Sequence, residues 1–299
     1  MSSAFSVLKN NLLIILAAYQ KHCDALSKVV TNKLLYMNII TPEQQEILIA
    51  AAREAGQELL KLWPGNKAAQ ERALEMRSKN DGSPVTEADL RSNKIIIECI
   101  TKLFPRDVIL SEESPFSVEQ LAKSERTWVV DPLDGTKSFI RGDDDFSVLI
   151  ALCVKFKPVF SIMNFPARGR FVMSSISDGR AGCNGTSIHV SDTKELKPGR
   201  IYIRNFECQR PELASPMMDS GEALFRVASG ELDGAVIRMT THQEWDLAAP
   251  AAIIEAAGGV LTSETGSQIK LGRGLIDFQY VIASNGNIHK QLQELIGLK

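Results

Sequence analysis

The sequence predicts a mixed α/β (α+β) protein in which helices cover two sheets. Three observations carry this. Helical and strand-like segments alternate along the chain. Strand-like runs cluster between residues 146 and 173. No internal repeat or low-complexity linker interrupts the pattern.

The first clear element starts at Thr41-Pro42-Glu43-Gln44, where Thr41 can cap, Pro42 suits the first helical position and Gln44 completes a capping box. Ile47, Leu48, Ala51, Ala55, Leu59 and Leu62 recur at helical spacing until Trp63, and Pro64-Gly65 stops the helix. A second helix follows Ser83-Pro84-Val85-Thr86, with Leu90, Ile96, Ile97, Ile100 and Leu103 as its apolar face. Val108-Ile109-Leu110 and Trp128-Val129-Val130 read as buried strands, each running straight into acidic residues. Strands follow over 146–152, 158–162 and 171–173. Then come a strand near 201–203, a helix over about 221–229 and a strand at 235–237. Trp245-Asp246 opens an Ala-rich helix closed by Gly258-Gly259, and a strand at 280–283 and a helix after Asn285 finish the chain.

Composition narrows the function classes. With 299 residues, 44% hydrophobic and 23% charged, the chain is long enough for one large core or two small ones. Lys+Arg 34 against Asp+Glu 36 leaves no basic footprint for a nucleic acid polymer. Cys23, Cys99, Cys153, Cys183 and Cys208 form no Cys-x-x-Cys pair, and only four His are present, which argues against a Cys/His zinc site and for a reduced, cytoplasmic protein. Residues 1–36 read as a non-catalytic helical extension; a weak export signal is the alternative, and Met37 offers a second start for a domain over 37–299. The apolar run Leu12–Tyr19 is too short for a transmembrane helix, although it could tether the chain peripherally to the cytoplasmic face of a membrane.

The chemistry concentrates in four acidic corners. In Asp131-Pro132-Leu133-Asp134-Gly135-Thr136 a buried strand delivers Asp131, and Pro132 is expected to end it. Asp131, Asp134 and the freed Leu133 carbonyl are three hard oxygen donors within four residues, a set suited to Mg²⁺. The amides of Gly135 and Thr136 at a helix start suit an anion. Read alone, this stretch could equally be an Asx turn with a cap. Glu112-Glu113 after Ser111 repeats the design, though two surface acids would look the same. Asp246 could be an N-cap, and Asp89 could be a capping-box acid. His242 reads as a polar loop residue.

The stretches Lys79–Asp89, Leu110–Ser114, Trp128–Lys137 and Trp245–Ala249 together resemble the inositol monophosphatase superfamily, in its order and spacing, over residues 40 to 295. The Asp-Gly-Ser-Pro-Val-Thr-Glu-Ala-Asp run and Lys137 are most similar to its CysQ-type 3'(2'),5'-bisphosphate nucleotidases. The resemblance implies a layered αβαβα sandwich and magnesium-dependent hydrolysis of a phosphate monoester, lithium-sensitive in many members. It implies metal ligands at Glu112, Asp131, the Leu133 carbonyl, Asp134 and Asp246, with two or three Mg²⁺ ions. Thr136 and Asp89 match the pair that orients water, with Glu112 also counted as catalytic and Glu113 behind it. The substrate phosphate would meet Glu112, Leu133, Asp134, Gly135, Thr136 and Asp246. The expected substrate is adenosine 3',5'-bisphosphate, converted to AMP as part of sulfur metabolism, with its sulfated precursor also accepted. Inositol or sugar phosphates are the alternative, and a phosphate-binding regulator is the non-enzyme one. A monomer or homodimer is expected. Ser138, Ser147 and the stretch Glu222–Arg226 depart from the CysQ-type pattern. A haloacid-dehalogenase mechanism lacks its nucleophile, since Pro132 stands two before Asp134; a Gly-x-Ser-x-Gly elbow and a Walker A loop are also missing.

Overall fold

A computed structural model of the chain describes residues 39–65, 76–78, 84–175 and 179–297. The proposed extension and the motif residues 79–83 lie outside the described residues.

Helix α1 (Pro42–Leu62) begins with the expected capping box: Gln44 N donates to Thr41 Oγ1 at 3.3 Å, and Thr41 N to Gln44 Oε1 at 3.0 Å. Leu48, Ala52, Ala55 and Leu59 form its buried stripe, whereas Ile47 is 48% exposed. Gly56 allows close approach to a sheet strand, since a Cβ there would overlap Asn164 Nδ2. Asn164 in turn donates to the Ala52 carbonyl at 2.9 Å. A short antiparallel pair, β1 (Met76–Ser78) and β2 (Pro84–Thr86), leads into α2 (Glu87–Leu103). Ile96 and Ile100 are buried as expected, but Leu90 points outward, 39% exposed; Ala88, Asp89 and Ser92 complete the buried face.

The main sheet has seven strands in sequential order: β3 (Val108–Ser111), β4 (Arg126–Asp134), β5 (Ser147–Val154), β6 (Lys157–Phe165), β7 (Arg170–Ser175), β8 (Arg180–Cys183) and β9 (Thr186–Ile188). β3 and β4 are parallel, with the short helix α3 (Val118–Lys123) between them, and the rest pair antiparallel. Helix α4 (Thr136–Arg141) joins β4 to β5. The second sheet runs β10 (Ile201–Arg204), β11 (Gly234–Arg238), β13 (Tyr280–Ser284), β12 (Val260–Ser263). Helices α5 (Ser220–Ala228), α6 (Glu244–Ala256) and α7 (His289–Leu295) complete the described α-helices. The sequence reading missed β8, β9 and β12, which are three or four residues long and lack a clear alternation.

Period-two alternation in β4 separates two cores. Trp128 and Val130 pack with Leu48, Ile96 and Ile100 from α1 and α2. Val129 faces the other way, packing with Leu224, Ile253 and Ala283 from α5, α6 and the second sheet. Ile201, Val236 and Ile282 then bury against Ile288 and Leu292 around α7. The order is helix, sheet, helix, sheet, helix, the αβαβα sandwich implied by the resemblance. Among the described residues no helix is long and apolar enough to cross a membrane.

Candidate active site

The site grows from the carboxyl end of β4. Pro132 does not end the strand. Asp131 pairs with Leu149 and Asp134 with Ser147, so three steps on β4 oppose two on β5. Pro132 and Leu133 form a bulge, and a bulged residue needs no ladder N–H. The bulge is tied down on both sides. Ser92 Oγ donates to the Pro132 carbonyl at 2.7 Å, and Leu133 N donates to Asp131 Oδ1 at 3.0 Å. Gly135 then turns the chain with φ +81°; a Cβ there would lie 3.1 Å from the Asp219 carboxyl carbon. Thr136 opens α4, and its Oγ1 donates to the Leu133 carbonyl at 3.1 Å.

The other acids arrive from separate elements. Glu112 follows β3, its N–H donating to the Val130 carbonyl at 3.2 Å, which sets it beside the end of β4. Asp89 is the third residue of α2 and completes a capping box: Thr86 N and Oγ1 donate to its Oδ2 at 2.8 and 2.6 Å. Its other oxygen, Oδ1, stands 3.4 Å from Thr136 Oγ1. Asp246 is the third residue of α6, where Gln243 rather than Asp246 is the N-cap; Gln243 N donates to Asp246 Oδ2 at 2.7 Å.

These elements bring ligand oxygens of Asp131, Asp134 and Asp246 within 4.8 Å of one another. Glu112 adjoins this group and hydrogen-bonds Asp131. Burial is the first cause that holds the carboxyls of Asp131 and Asp134 well above the usual range. Like charge is the next: Glu112, Asp134 and Asp246 act on Asp131, and Asp219 and Asp246 on Asp134. Asp246 is pushed up to about 7, again first by burial. An all-oxygen cluster with Asp131 and Asp134 buried and Asp246 half-buried fits a hard divalent cation, which would satisfy charges that otherwise repel.

Sequence reasoning missed several residues here. Asp219 caps α5, its Oδ1 accepting from Gly221 N at 3.0 Å, and its carboxyl lies against Asp134. Burial raises its pKa too. Asp145 Oδ2 accepts the Asp219 N–H at 2.7 Å, and Ser147 Oγ donates to Asp134 Oδ2 at 3.2 Å. His242 lies in the loop before α6, as expected, and is buried there: it is 9% exposed and its Nε2 is 3.2 Å from Ser220 Oγ. Burial, then the Arg204 charge, lowers its pKa to about 4, so it is neutral. An Asp-Ser-Gly cap signal at 219–221 was readable; its approach to Asp134 is purely tertiary. Glu112, Asp134, Gly135, Thr136 and Asp246 all line one cavity of about 750 Å³, which Arg204, Asp219 and His242 share.

A five-layer sandwich with an oxygen-only carboxylate cluster beside a cavity fits a hydrolase that works with a hard divalent cation. The model of the inositol monophosphatase family matches residues 42–297, and the chain belongs to that family. A histidinol-phosphatase from Chlorobaculum parvum is 32% identical over 241 residues, 76% of this chain and 88% of that protein. An inositol-1-monophosphatase from Synechocystis is 31% identical over 269 residues, 84% and 88% of the two chains. The 3'(2'),5'-bisphosphate nucleotidase CysQ of Escherichia coli K12 is 30% identical over 217 residues, 69% and 85%. In fold, the Thermotoga maritima inositol monophosphatase structure superposes with a TM-score of 0.72 at 24% identity, covering 85% of this chain and 97% of that one.

Proposed function

We propose that this chain is a magnesium-dependent phosphomonoesterase that removes the 3'-phosphate of adenosine 3',5'-bisphosphate to give AMP, and that it also accepts the sulfated form of that nucleotide. The observation that carries the phosphatase reading is the convergence of Asp131, Asp134 and Asp246 within 4.8 Å beside a cavity that Asp134, Asp246 and Thr136 line. The nucleotide preference is supported by the 79–89 run and by the CysQ relative. The histidinol-phosphatase and inositol-1-monophosphatase relatives favour a second reading, a phosphatase of another small phosphorylated alcohol.

Glu112, Asp131, the Leu133 carbonyl, Asp134 and Asp246 would hold the two or three ions. Bound there, magnesium supplies charge neutralisation at the phosphoryl group and acidifies water. The remaining chemistry belongs to the chain. Thr136 Oγ1 and Asp89 Oδ1 form a pair that can align a water and take up its proton. Asp89 is fully buried and fixed through its other oxygen by two Thr86 donors, so its aim is preset. The Gly135 turn, pressed between Asp219 and Phe146, presents the start of α4 toward the phosphate. In this mechanism no residue is phosphorylated, and the phosphate leaves as the inorganic ion.

The test is a steady-state comparison of adenosine 3',5'-bisphosphate with inositol 1-phosphate and histidinol phosphate at saturating Mg²⁺. The nucleotide is expected to give the highest kcat/KM. A higher value on either of the others transfers the assignment to that substrate, and no phosphate release from any of the three refutes the enzymatic reading.

A further inference from the structure

Helix α2 turns one face toward the ends of two strands. Asp89, Ser92 and Asn93 stand three and four residues apart, so they share that face. Asp89 Oδ1 meets Thr136 Oγ1 at 3.4 Å, and Ser92 Oγ donates to the Pro132 carbonyl at 2.7 Å; both contacts act on β4 and the turn after it. The half-buried Asn93 reaches the end of β3 instead. Ser111 Oγ donates to Asn93 Oδ1 at 2.7 Å, and Asn93 Nδ2 donates to Ser114 Oγ at 3.1 Å. Those two serines bracket Glu112 and Glu113. The turn they bracket is closed along its backbone by Ser114 N, which donates to the Ser111 carbonyl at 3.3 Å.

Glu112 needs such a brace. Its charge opposes that of Asp131, and like charges so placed push the turn away from β4. On the strand side the Glu112 N–H resists this through the Val130 carbonyl at 3.2 Å. On the helix side the Asn93 amide does. A carboxamide suits the task, because it carries an acceptor and a donor in one plane. A single residue can then take a hydrogen bond from one hydroxyl and give one to the other. Asparagine is a weak helix former, so its place in the second turn of α2 is explained by those bonds rather than by the helix.

We propose that Asn93 is a positioning residue for the metal site: it holds the Ser111–Ser114 turn so that Glu112 faces Asp131, and thereby sets the affinity for Mg²⁺. The proposal rests on the phosphatase reading above and adds to it a residue outside the cavity lining. Removing the amide leaves each proposed metal donor in the chain but lets the turn relax. Ordering the turn again then counts against ion binding. One helical face thus fixes the carboxylate after β3 against the bulge of β4, so that the donors of the two strands keep one spacing.

The experiment titrates the metal-free full-length protein with Mg²⁺ by calorimetry, in the unmodified chain, in Asn93→Ala, in Ser111→Ala/Ser114→Ala and in the variant that combines all three. Melting in EDTA reports folding separately. Asn93→Ala is expected to weaken Mg²⁺ binding by about 10- to 100-fold, the range for losing a group that orients a metal ligand. Phosphate release should need correspondingly more Mg²⁺, while kcat at saturating Mg²⁺ largely recovers. The double serine variant should lose a similar factor and the triple variant little beyond it, since all three substitutions break one bridge. An Asn93→Ala protein that binds Mg²⁺ as tightly as the parent overturns the proposal, whatever its melting temperature. So does a loss in the triple variant equal to the product of the separate losses, because Asn93 would then act by another route. If Asn93→Ala does not fold, the single variants Ser111→Ala and Ser114→Ala carry the test, and an unchanged Mg²⁺ affinity in both overturns it. An unmodified protein that takes up no Mg²⁺ removes the metal reading itself, and the positioning role with it.

Discussion

Thr136 Oγ1 lies 3.1 Å from the Leu133 carbonyl and 3.4 Å from Asp89 Oδ1, so one hydroxyl links the bulge of β4 to the first turn of α2. Removing it leaves every proposed metal donor in place. Thr136→Ala is therefore expected to cut kcat by roughly 10²-fold with KM little changed, measured by phosphate release under saturating Mg²⁺. A large rise in KM with kcat intact would make Thr136 a ground-state phosphate contact instead.

Asp134 lies against Asp219 and faces Asp246, with burial and both charges opposing its ionisation. Asp134→Asn removes the charge that those two oppose and one proposed ligand. Turnover is expected to fall at least about 10³-fold. The metal-free variant should nevertheless melt no lower than the parent, because a repulsive contact has gone. Calorimetry beside an activity assay reads both. Near-normal kcat in Mg²⁺ would show that the reacting centre is elsewhere.

The acid cluster also fixes a pH dependence. An unperturbed aspartate titrates at 3.8, and Asp246 in the fold at about 7. Between those values the unfolded chain has released the proton that the folded chain keeps. Stability of the metal-free protein thus falls as pH rises from about 4 to about 7, and the contribution is flat above that. Asp131 and Asp134 are shifted the same way. Magnesium competes with those protons, so its stabilising effect should grow from pH 6 to pH 8. Melting curves with EDTA and with Mg²⁺ across this range check the sign; a metal-free protein that gains stability over the same interval would contradict the crowding.

Glu244, two residues before Asp246, is a buried carboxylate that accepts four backbone N–H bonds, from Gly272, Arg273, Gly274 and Leu275 at 2.7 to 3.3 Å. Truncation leaves those amides without their shared acceptor. Glu244→Ala is expected to cost about 3 kcal/mol or more in urea unfolding. A loss below about 1 kcal/mol would mean that water replaces the carboxylate freely.

We propose that residues 1–36 are not part of the catalytic domain. The Thr41 capping box starts α1 with its own donors, and the family match begins at residue 42. A protein beginning at Met37 should fold and keep close to full kcat. If it is unfolded, or folded but inactive with Mg²⁺ supplied, the segment belongs to the core.

What the sequence made legible follows from how local each signal is. The Thr41 and Thr86 boxes, the helix start at Gly135-Thr136 and the acids that follow each strand are set by neighbours within four residues, and all appear in the fold. Pro132 misled because loss of an N–H ends a regular ladder but not a bulge, and the bulge depends on the register of β5. Leu90 misled because the neighbours of α2 bury Asp89 and Ser92 instead, each held by a hydrogen bond from or to a different element. Asp219, Arg204 and His242 could not be assigned to the site. Their meaning lies in approach to residues up to about a hundred positions away, and no period or spacing records that.

The acid cluster spans the chain from Asp131 to Asp246. A ribosome releases β4 and the whole seven-stranded sheet before α6 exists. Glu112, Asp131 and Asp134 are all made before Asp246, so the charge that Asp246 sets against Asp131 and Asp134 is the last to arrive. α6 therefore brings both the completing proposed ligand and its share of the electrostatic cost. The demand for a divalent ion at the proposed site is thus expected to be complete only once α6 is in place.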